Sequence, residues 1–218
     1  KILFLTRRFY PEIGGVEKHV LEISKNLIVR GYQISVISEN YHSIGQSDIY
    51  SINSEQHVKS SQTEYFEFNK IKAFKIDGGK DGWLKKFRIW TELLRLSKII
   101  READIVHCHD VFFWYLPFRV FLPRKKVFTT FHGYETKFPP TIKAKLVRKI
   151  SEQLSFGNIC VGDYIKKWYW TKPDFVTYGG VDSEEIRNKF KVKNSKLKIL
   201  MIGRLEEDNG AEIYLKAL

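Results

Sequence analysis

The first 38 residues carry a strand–helix–strand pattern, and this feature restricts the possible folds more than any other in the sequence. The apolar run KILFLT at 1–6 predicts a buried strand, and YQISVIS at 32–38 predicts a second one. Between them, apolar residues recur at helical spacing until Gly31 ends the helix. Those residues are Val16, Val20, Ile23 and Leu27. Because strands joined through a helix pair in parallel with a right-handed crossover, an α/β domain with a parallel sheet is predicted.

The same alternation of strands and helices continues along the chain. Residues 39–63 are polar and are predicted to form a loop, and 63–76 are predicted to form one or two short strands. Further strands are predicted at 104–109, 126–133, 158–162 and 174–180, and helices at 81–100, 112–122, 142–155 and between the last two strands. The predicted fold class is therefore α/β, with helices flanking a parallel sheet.

Composition narrows the class of protein further. The 218 residues are 43% apolar, which is enough for a buried core. Cys108 and Cys160 are the two cysteines, and their spacing fits no metal ribbon, so a reducing compartment and a cytoplasmic location are predicted. No apolar run long enough to cross a membrane and no export signal is expected. The net charge of +12 predicts an anionic partner, which could be nucleic acid, anionic lipid or a phosphorylated small molecule.

The end of the chain predicts a second domain. Residues 1–182 are predicted to form the first domain, and the charged stretch 183–196 is predicted to be a linker. LKILMIGRL at 197–205 then restarts a strand similar to the first one, so 197–218 are expected to begin a second domain. The chain is expected to be a fragment, because it stops inside a predicted helix and starts directly on strand residues.

Candidate site residues follow the strands of the predicted sheet. Gly14 and Gly15 lie where the first strand gives way to a helix, and such a pair is either ordinary loop or a cradle for phosphate. The pattern is neither the GxGxxG fingerprint nor a P-loop. In HCHD, His107 and His109 should share one face of a strand. His132 follows another strand, and no third convergent ligand for a metal ion is identifiable.

Five segments together resemble family 4 of the retaining glycosyltransferases. They are FYPEIGGVEKHVLEISKNLIVRGYQISVIS, ADIVHCHD, TTFHG, YGGVD and ILMIGRL, and they occur in the order and spacing of that family. The resemblance implies a Rossmann-like domain that is the N-terminal half of a GT-B fold. In that fold, the acceptor contacts lie mainly on the first domain and the nucleotide sugar mainly on the second. The resemblance also implies that no metal ion or other cofactor is used.

The resemblance assigns roles to individual residues. Gly14 and Gly15 would lie under the donor diphosphate, and His132 would lie against the reacting sugar. Glu17 and His109 would face the acceptor. The remaining matches are Gly180, Val181 and Asp182 at the interdomain cleft, and Arg204 at the leaving diphosphate. The family places a lysine where this chain has Asn209, so this position lacks a cation that the family uses at the leaving diphosphate.

The resemblance implies a hexosyltransferase-type enzyme that moves a sugar from a nucleotide-sugar donor to a glycan, lipid-linked or small-molecule acceptor with retention of configuration. The 218 residues alone are expected to be inactive, because the donor domain would be incomplete. Two alternatives stay open: a non-catalytic nucleotide- or polyanion-binding module, and a nucleic-acid-binding protein. The second alternative rests on the charge and on Trp168, Tyr169 and Trp170 beside two lysines. A basic amphipathic helix at 83–101 also predicts docking on an anionic membrane surface.

Overall fold

The structure is a computed structural model. It describes residues 1–12, 14–39, 56–60, 63–79, 82, 84–133, 139–178 and 211–217. The chain divides into two compact units, Lys1–Gly179 and Gly180–Leu218. In the second unit the described part is one helix. The predicted linker at 183–196 and the predicted strand at 197–205 lie outside the described residues, so the predicted domain bounds stay predictions.

The first unit alternates strands and helices as the sequence predicts. The strands are β1 (Ile2–Thr6), β2 (Ile34–Glu39), β3 (Gln56–Ser60), β4 (Thr63–Phe68), β5 (Ile71–Ile76), β6 (Ile105–His109), β7 (Lys126–Phe131), β8 (Gly157–Val161) and β9 (Phe175–Thr177). The helices are α1 (Gly15–Val29), α2 (Lys85–Arg95), α3 (Ser97–Glu102), α4 (Phe112–Phe121), α5 (Ile142–Leu154) and α6 (Asp163–Tyr169), and the second unit contributes α7 (Ala211–Ala217).

The described strands form one sheet in the order β3-β4-β5-β2-β1-β6-β7-β8-β9. The pairs β3–β4 and β4–β5 are antiparallel, and every other neighbouring pair is parallel. The strand order reverses beside β1, because β2 follows on one side and β6 lies on the other. In open α/β sheets such a reversal leaves a crevice at the carboxyl ends of the strands, where ligands bind.

Two apolar cores cover the two faces of the sheet. On one face, β1, β2 and β5 pack against α1 around Phe4, Val20 and Val36. On the other face, the central strands pack against α2, α3 and α4 around Leu5, Leu93 and Trp114. Alternating residues of β1 and β2 enter opposite cores, as period-two geometry requires. The predicted α/β fold class, with a Rossmann-like parallel sheet, is thereby confirmed.

Some local predictions were wrong. The polar stretch predicted as loop contains β3, which pairs with β4 at the sheet edge. The helix predicted over 81–100 is two helices, because Leu96 leaves helical geometry and separates α2 from α3. The predicted strands at 126–133 and 174–180 are shorter than expected, ending at Phe131 and Thr177. Within the described residues, no helix is both long enough and apolar enough to cross a membrane.

Candidate functional site

Four histidines gather at the carboxyl end of the sheet, at the point where the strand order reverses. His107 and His109 lie on β6, His132 directly follows β7, and His19 lies in α1. The rings of His107 and His109 share one face of β6, as predicted, because both contact Phe4 of β1. Cys108 points into the opposite core. The crossover from β1 through α1 brings His19 to the same edge.

One hydrogen bond joins the two histidines that end neighbouring strands. His109 Nδ1 and His132 Nε2 are 2.8 Å apart. His107 Nε2 makes a separate hydrogen bond of 2.7 Å with Thr130 Oγ1. The ring of His19 meets that of His132 edge-on, with centroids 4.8 Å apart. The side chain of His109 is 1% exposed, and its Nδ1 is hydrogen-bonded to His132, which is partly exposed.

Burial keeps these imidazoles neutral. Desolvation lowers the pKa of His107 to about 4 and the pKa of His132 to about 3. It also lowers the pKa of His19 and holds that of His109 well below its usual range. Neighbouring histidines lower the pKa of His107, His109 and His132 further, because a positive charge on one ring disfavours protonation of the next. At pH 7 the cluster therefore offers hydrogen-bonding nitrogens but no positive charge.

Three of the histidines could in principle approach one metal ion. His19, His109 and His132 each offer a ring nitrogen, and the three nitrogens lie within 4.8 Å of one another. The sequence by itself identified no third convergent ligand, and the structure brings a ring nitrogen of His19 to this position. The 2.8 Å separation of the His109 and His132 nitrogens is nevertheless that of a hydrogen bond. Two nitrogens on a tetrahedral zinc ion would be about 3.3 Å apart.

The backbone of His132 is fixed on both sides. Its N–H donates to both carboxylate oxygens of Asp110, at 3.1 and 3.2 Å, and its carbonyl accepts from the Tyr164 hydroxyl at 2.7 Å. The next carbonyl, that of Gly133, accepts from the Arg148 guanidinium. Arg148 also lies 3.7 Å from the Asp110 carboxylate. These contacts connect β6, β7, α5 and α6 at one point.

Arg148 is 1% exposed, and aromatic rings flank its charge. The guanidinium carbon lies 3.9 Å from the ring centroid of Tyr169 and 5.0 Å from that of Phe131. A buried cation requires both charge pairing and stacking of this kind to offset its desolvation. The sequence analysis missed Arg148. No pattern within α5 points to it, because Arg148 shares its buried face with Ala144 and Ser151, whereas Ile142 and Leu146 are exposed.

The glycine pair precedes the site at the start of α1. Gly14 has an extended backbone (φ −175°, ψ 171°) that any residue can adopt. A Cβ on Gly14 would collide with the Glu17 carboxylate, whereas a Cβ on Gly15 would have no atom within 4 Å. This clash involves only the movable end of the Glu17 side chain, so it does not by itself require glycine at position 14. An incoming phosphate at this helix N-terminus would need that carboxylate to move away, since like charges repel.

A cavity of about 370 Å³ opens at the same end of the sheet. Its apolar wall includes Ile89, Phe113 and Phe131, and its polar lining includes Arg7, Glu39, Lys85, Lys86 and Asp110. Glu39 is 3% exposed and lies 2.5 Å from the ammonium of Lys85 and 4.0 Å from the guanidinium of Arg7. An apolar cavity with a few charged groups is the usual form of a small-molecule site.

The family assignment follows from a sequence match that includes α1, β6, β7 and the four histidines. The sequence model of Glycosyltransferase Family 4 matches residues 13–185. The chain belongs to Glycosyltransferase Family 4. Among curated proteins, none matches the chain significantly. The predicted family is thereby confirmed, and the first unit carries a glycosyltransferase domain.

The residues predicted for this glycosyltransferase divide into two groups. Gly14, Gly15, Glu17, His109 and His132 all lie at the carboxyl end of the parallel strands or at the N-terminal end of α1. The remaining ones, Gly180, Val181, Asp182, Arg204 and Asn209, lie outside the described residues. The roles of both groups stay predictions.

The aromatic cluster that favoured nucleic-acid binding is not a stacking surface. Tyr169 is fully buried against Arg148, and Trp168 packs partly against a smaller apolar cluster that Tyr169 forms with Phe131 and Ile165. Trp170 is exposed, and the Lys145 ammonium lies 4.4 Å from its ring centroid. A platform for single-stranded nucleic acid needs successive accessible ring faces. The observed packing gives Tyr169 and Trp168 a structural role and leaves Trp170 as one accessible ring.

Proposed function

We propose that this family 4 domain forms the acceptor side of a retaining, hexosyltransferase-type enzyme that uses a nucleotide-sugar donor. The observation that carries the proposal is the placing of His109, His132 and Gly14–Gly15 at one carboxyl edge of the sheet, within the family match. That edge is where α/β sheets bind their ligands. The wider biological role is glycan biosynthesis.

In the proposed reaction, the sugar's anomeric bond to the diphosphate breaks as the acceptor hydroxyl attacks from the same face. Negative charge grows on the departing diphosphate, so positive groups and N–H donors must lie there. Arg204 is the proposed cation, and Gly14 and Gly15 offer backbone N–H groups at the start of α1. A phosphate oxygen takes the acceptor's proton, so neither a protein base nor a metal ion is required.

His132 has a limited role in this chemistry, because burial holds its pKa at about 3. A neutral imidazole at pH 7 is a poor general acid, since it carries no proton that it can readily lose. It can still donate one N–H to an oxygen of the reacting sugar. We therefore propose that His132 binds and orients the sugar and does not transfer a proton.

The acceptor is proposed to enter the cavity beside the site. Glu17 is half-buried at the start of α1, whereas His109 is buried behind His132. Neither residue lines the cavity, and Glu17, as the less buried of the two, is the better placed to contact an acceptor hydroxyl outside it. The apolar wall and the mixed charges of the cavity suit an acceptor that has both an apolar part and polar groups.

A lipid-linked acceptor would require the domain to lie at a membrane surface. Leu84, Phe87 and Leu94 of the predicted basic helix are more than half exposed. Several of its cations already have carboxylate partners, as Arg95 does with Glu92. The proposal is tested by co-sedimentation with vesicles at low salt. Preference for anionic over neutral vesicles supports membrane docking, and equal partitioning refutes it.

A donor screen tests the proposed function as a whole. The full-length protein is incubated with UDP-, GDP- and ADP-sugars, and nucleotide release is followed with and without EDTA. The anomeric configuration of the product is then read by NMR. Release from one donor class, unaffected by EDTA and with a retained configuration, is expected. Inverted product or a requirement for metal would contradict the mechanism, and no release from any donor would contradict the enzyme assignment.

A further inference from the structure

We propose that His109 is a positioning residue that fixes His132 in a single tautomer, with the proton on Nδ1, so that His132 donates from that atom to the substrate. The proposal rests on the proposed function for the identity of the substrate. The hydrogen-bond assignment itself rests on this chain alone. It starts from the 2.8 Å contact between His109 Nδ1 and His132 Nε2.

A contact of this length between two neutral imidazoles needs one proton between the nitrogens. The desolvation of both rings removes the alternative of a doubly protonated ring at pH 7. Each ring therefore has one N–H and one bare nitrogen. Either His109 donates from Nδ1, or His132 donates from Nε2. These two arrangements differ in what happens to the other nitrogen of each ring.

The far nitrogen of His109 decides between them. Its Nε2 is buried and has no hydrogen-bond partner within the described part of the chain. If His132 were the donor, Nε2 of His109 would carry a proton with no acceptor. Among buried backbone groups, orphaned N–H donors are rarer than under-satisfied acceptors, and we extend that preference to the imidazole ring. His109 therefore donates from Nδ1, and His132 accepts at Nε2 and has its own proton on Nδ1.

Hydrogen bonds to the backbone of His132 and of the next residue restrict the movement of the His132 ring. Its backbone N–H is bound by Asp110 and its carbonyl by Tyr164, while Arg148 binds the next carbonyl. With the backbone fixed, the orientation of the ring depends on its side-chain contacts, chiefly the bond to His109. No hydrogen-bond partner of Nδ1 is found among the described residues, and in the proposed complex a substrate oxygen accepts a hydrogen bond from it.

The assignment is tested by NMR on this chain, with ¹⁵N-labelled histidine and long-range correlations between ring protons and ring nitrogens. Each tautomer gives a distinct pattern, because the bare and the protonated nitrogen have well-separated shifts. At pH 7 we expect both His109 and His132 to be protonated on Nδ1. A proton on Nε2 of His132, or a fast average of the two tautomers, would overturn the proposal. This measurement needs neither substrate nor variant.

The positioning role is tested by two substitutions of His109 in the full-length enzyme. His109→Asn places an amide near the position of Nδ1 and keeps a donor to His132, whereas His109→Leu fills similar space without one. With Leu we expect turnover to fall about tenfold or more at a nearly constant KM, because misorientation in the transition state lowers kcat. With Asn we expect most of the turnover to return. Equal losses in the two variants would refute the positioning role.

His107→Gln is the matched control. Its amide can keep the contact with Thr130 Oγ1, so the His132 tautomer pattern should not change although a neighbouring buried ring is removed. A changed pattern would show that packing, and not the bond to His109, sets the tautomer. If His132 has the expected tautomer but no donor is turned over, the proposed function fails and the hydrogen-bond assignment stands.

Discussion

Acid should destabilise this fold before most of its carboxylates titrate, and His107 allows the effect to be measured. Burial lowers the pKa of His107 from an ordinary value of 6.5 to about 4 in the folded chain. Between these two values the unfolded state binds a proton that the folded state does not. Stability is therefore complete above pH 6.5 and is lost as the pH falls toward 4.

The magnitude follows from the two pKa values. At pH 5 the solution is about 1.5 pH units below the unfolded-state pKa of His107 and still above its folded-state pKa. Relative to pH 8, protonation of His107 therefore stabilises the unfolded state over the folded state by about 2 kcal/mol. His132 contributes with the same sign, because its pKa is also depressed by burial. The raised pKa of Glu12, which is due to its burial, acts in the opposite direction at lower pH. A comparison of variants at each pH cancels these shared contributions.

The assay is urea unfolding followed by tryptophan fluorescence at pH 8, 7, 6 and 5, at constant ionic strength. His107→Gln removes the titrating group and can keep the bond to Thr130. The variant should lose about 2 kcal/mol less than the wild type between pH 8 and pH 5. Thr130→Val is the control, because it removes the bond and leaves the imidazole, so its loss should match the wild type. Parallel losses in the wild type and His107→Gln would refute the reasoning.

Three further substitutions test the proposed site. His132→Ala should lower turnover about a hundredfold while costing about 1–2 kcal/mol of stability for the unpaired His109, and activity that simply tracks the melting temperature would favour a structural role. Arg204→Ala should cost on the order of 3 kcal/mol of transition-state stabilisation, or about a hundredfold in kcat. An unchanged rate would show that the leaving diphosphate does not lie at Arg204. Asn209→Lys should raise kcat if the missing lysine matters, and an equal or lower rate would show that another group replaces it.

Local sequence determined the alternation of elements and the composition of the strand ends. The parallel sheet follows from βαβ units, because each crossover helix must return the chain to the same edge. His107 and His109 lie on the same face of β6 because side chains two apart in a strand point to the same side, and their contacts with Phe4 confirm it. The placing of His109 and His132 at one edge of the sheet was also predictable, since the carboxyl ends of parallel strands meet there.

Tertiary structure alone decided which groups act together at that edge. His19 meets His132 because β1 lies beside β6 in the sheet, and this pairing depends on contacts far apart in sequence. The choice of which face of α5 is buried is a second example. Its apolar residues Ile142 and Leu146 are exposed, whereas Arg148 is buried. Helical periodicity places hydrophobic residues inside, but here the aromatic rings and the Asp110 carboxylate make burial of the cation favourable. Those partners come from other elements, so the sequence of α5 by itself could not show which of its faces turns inward.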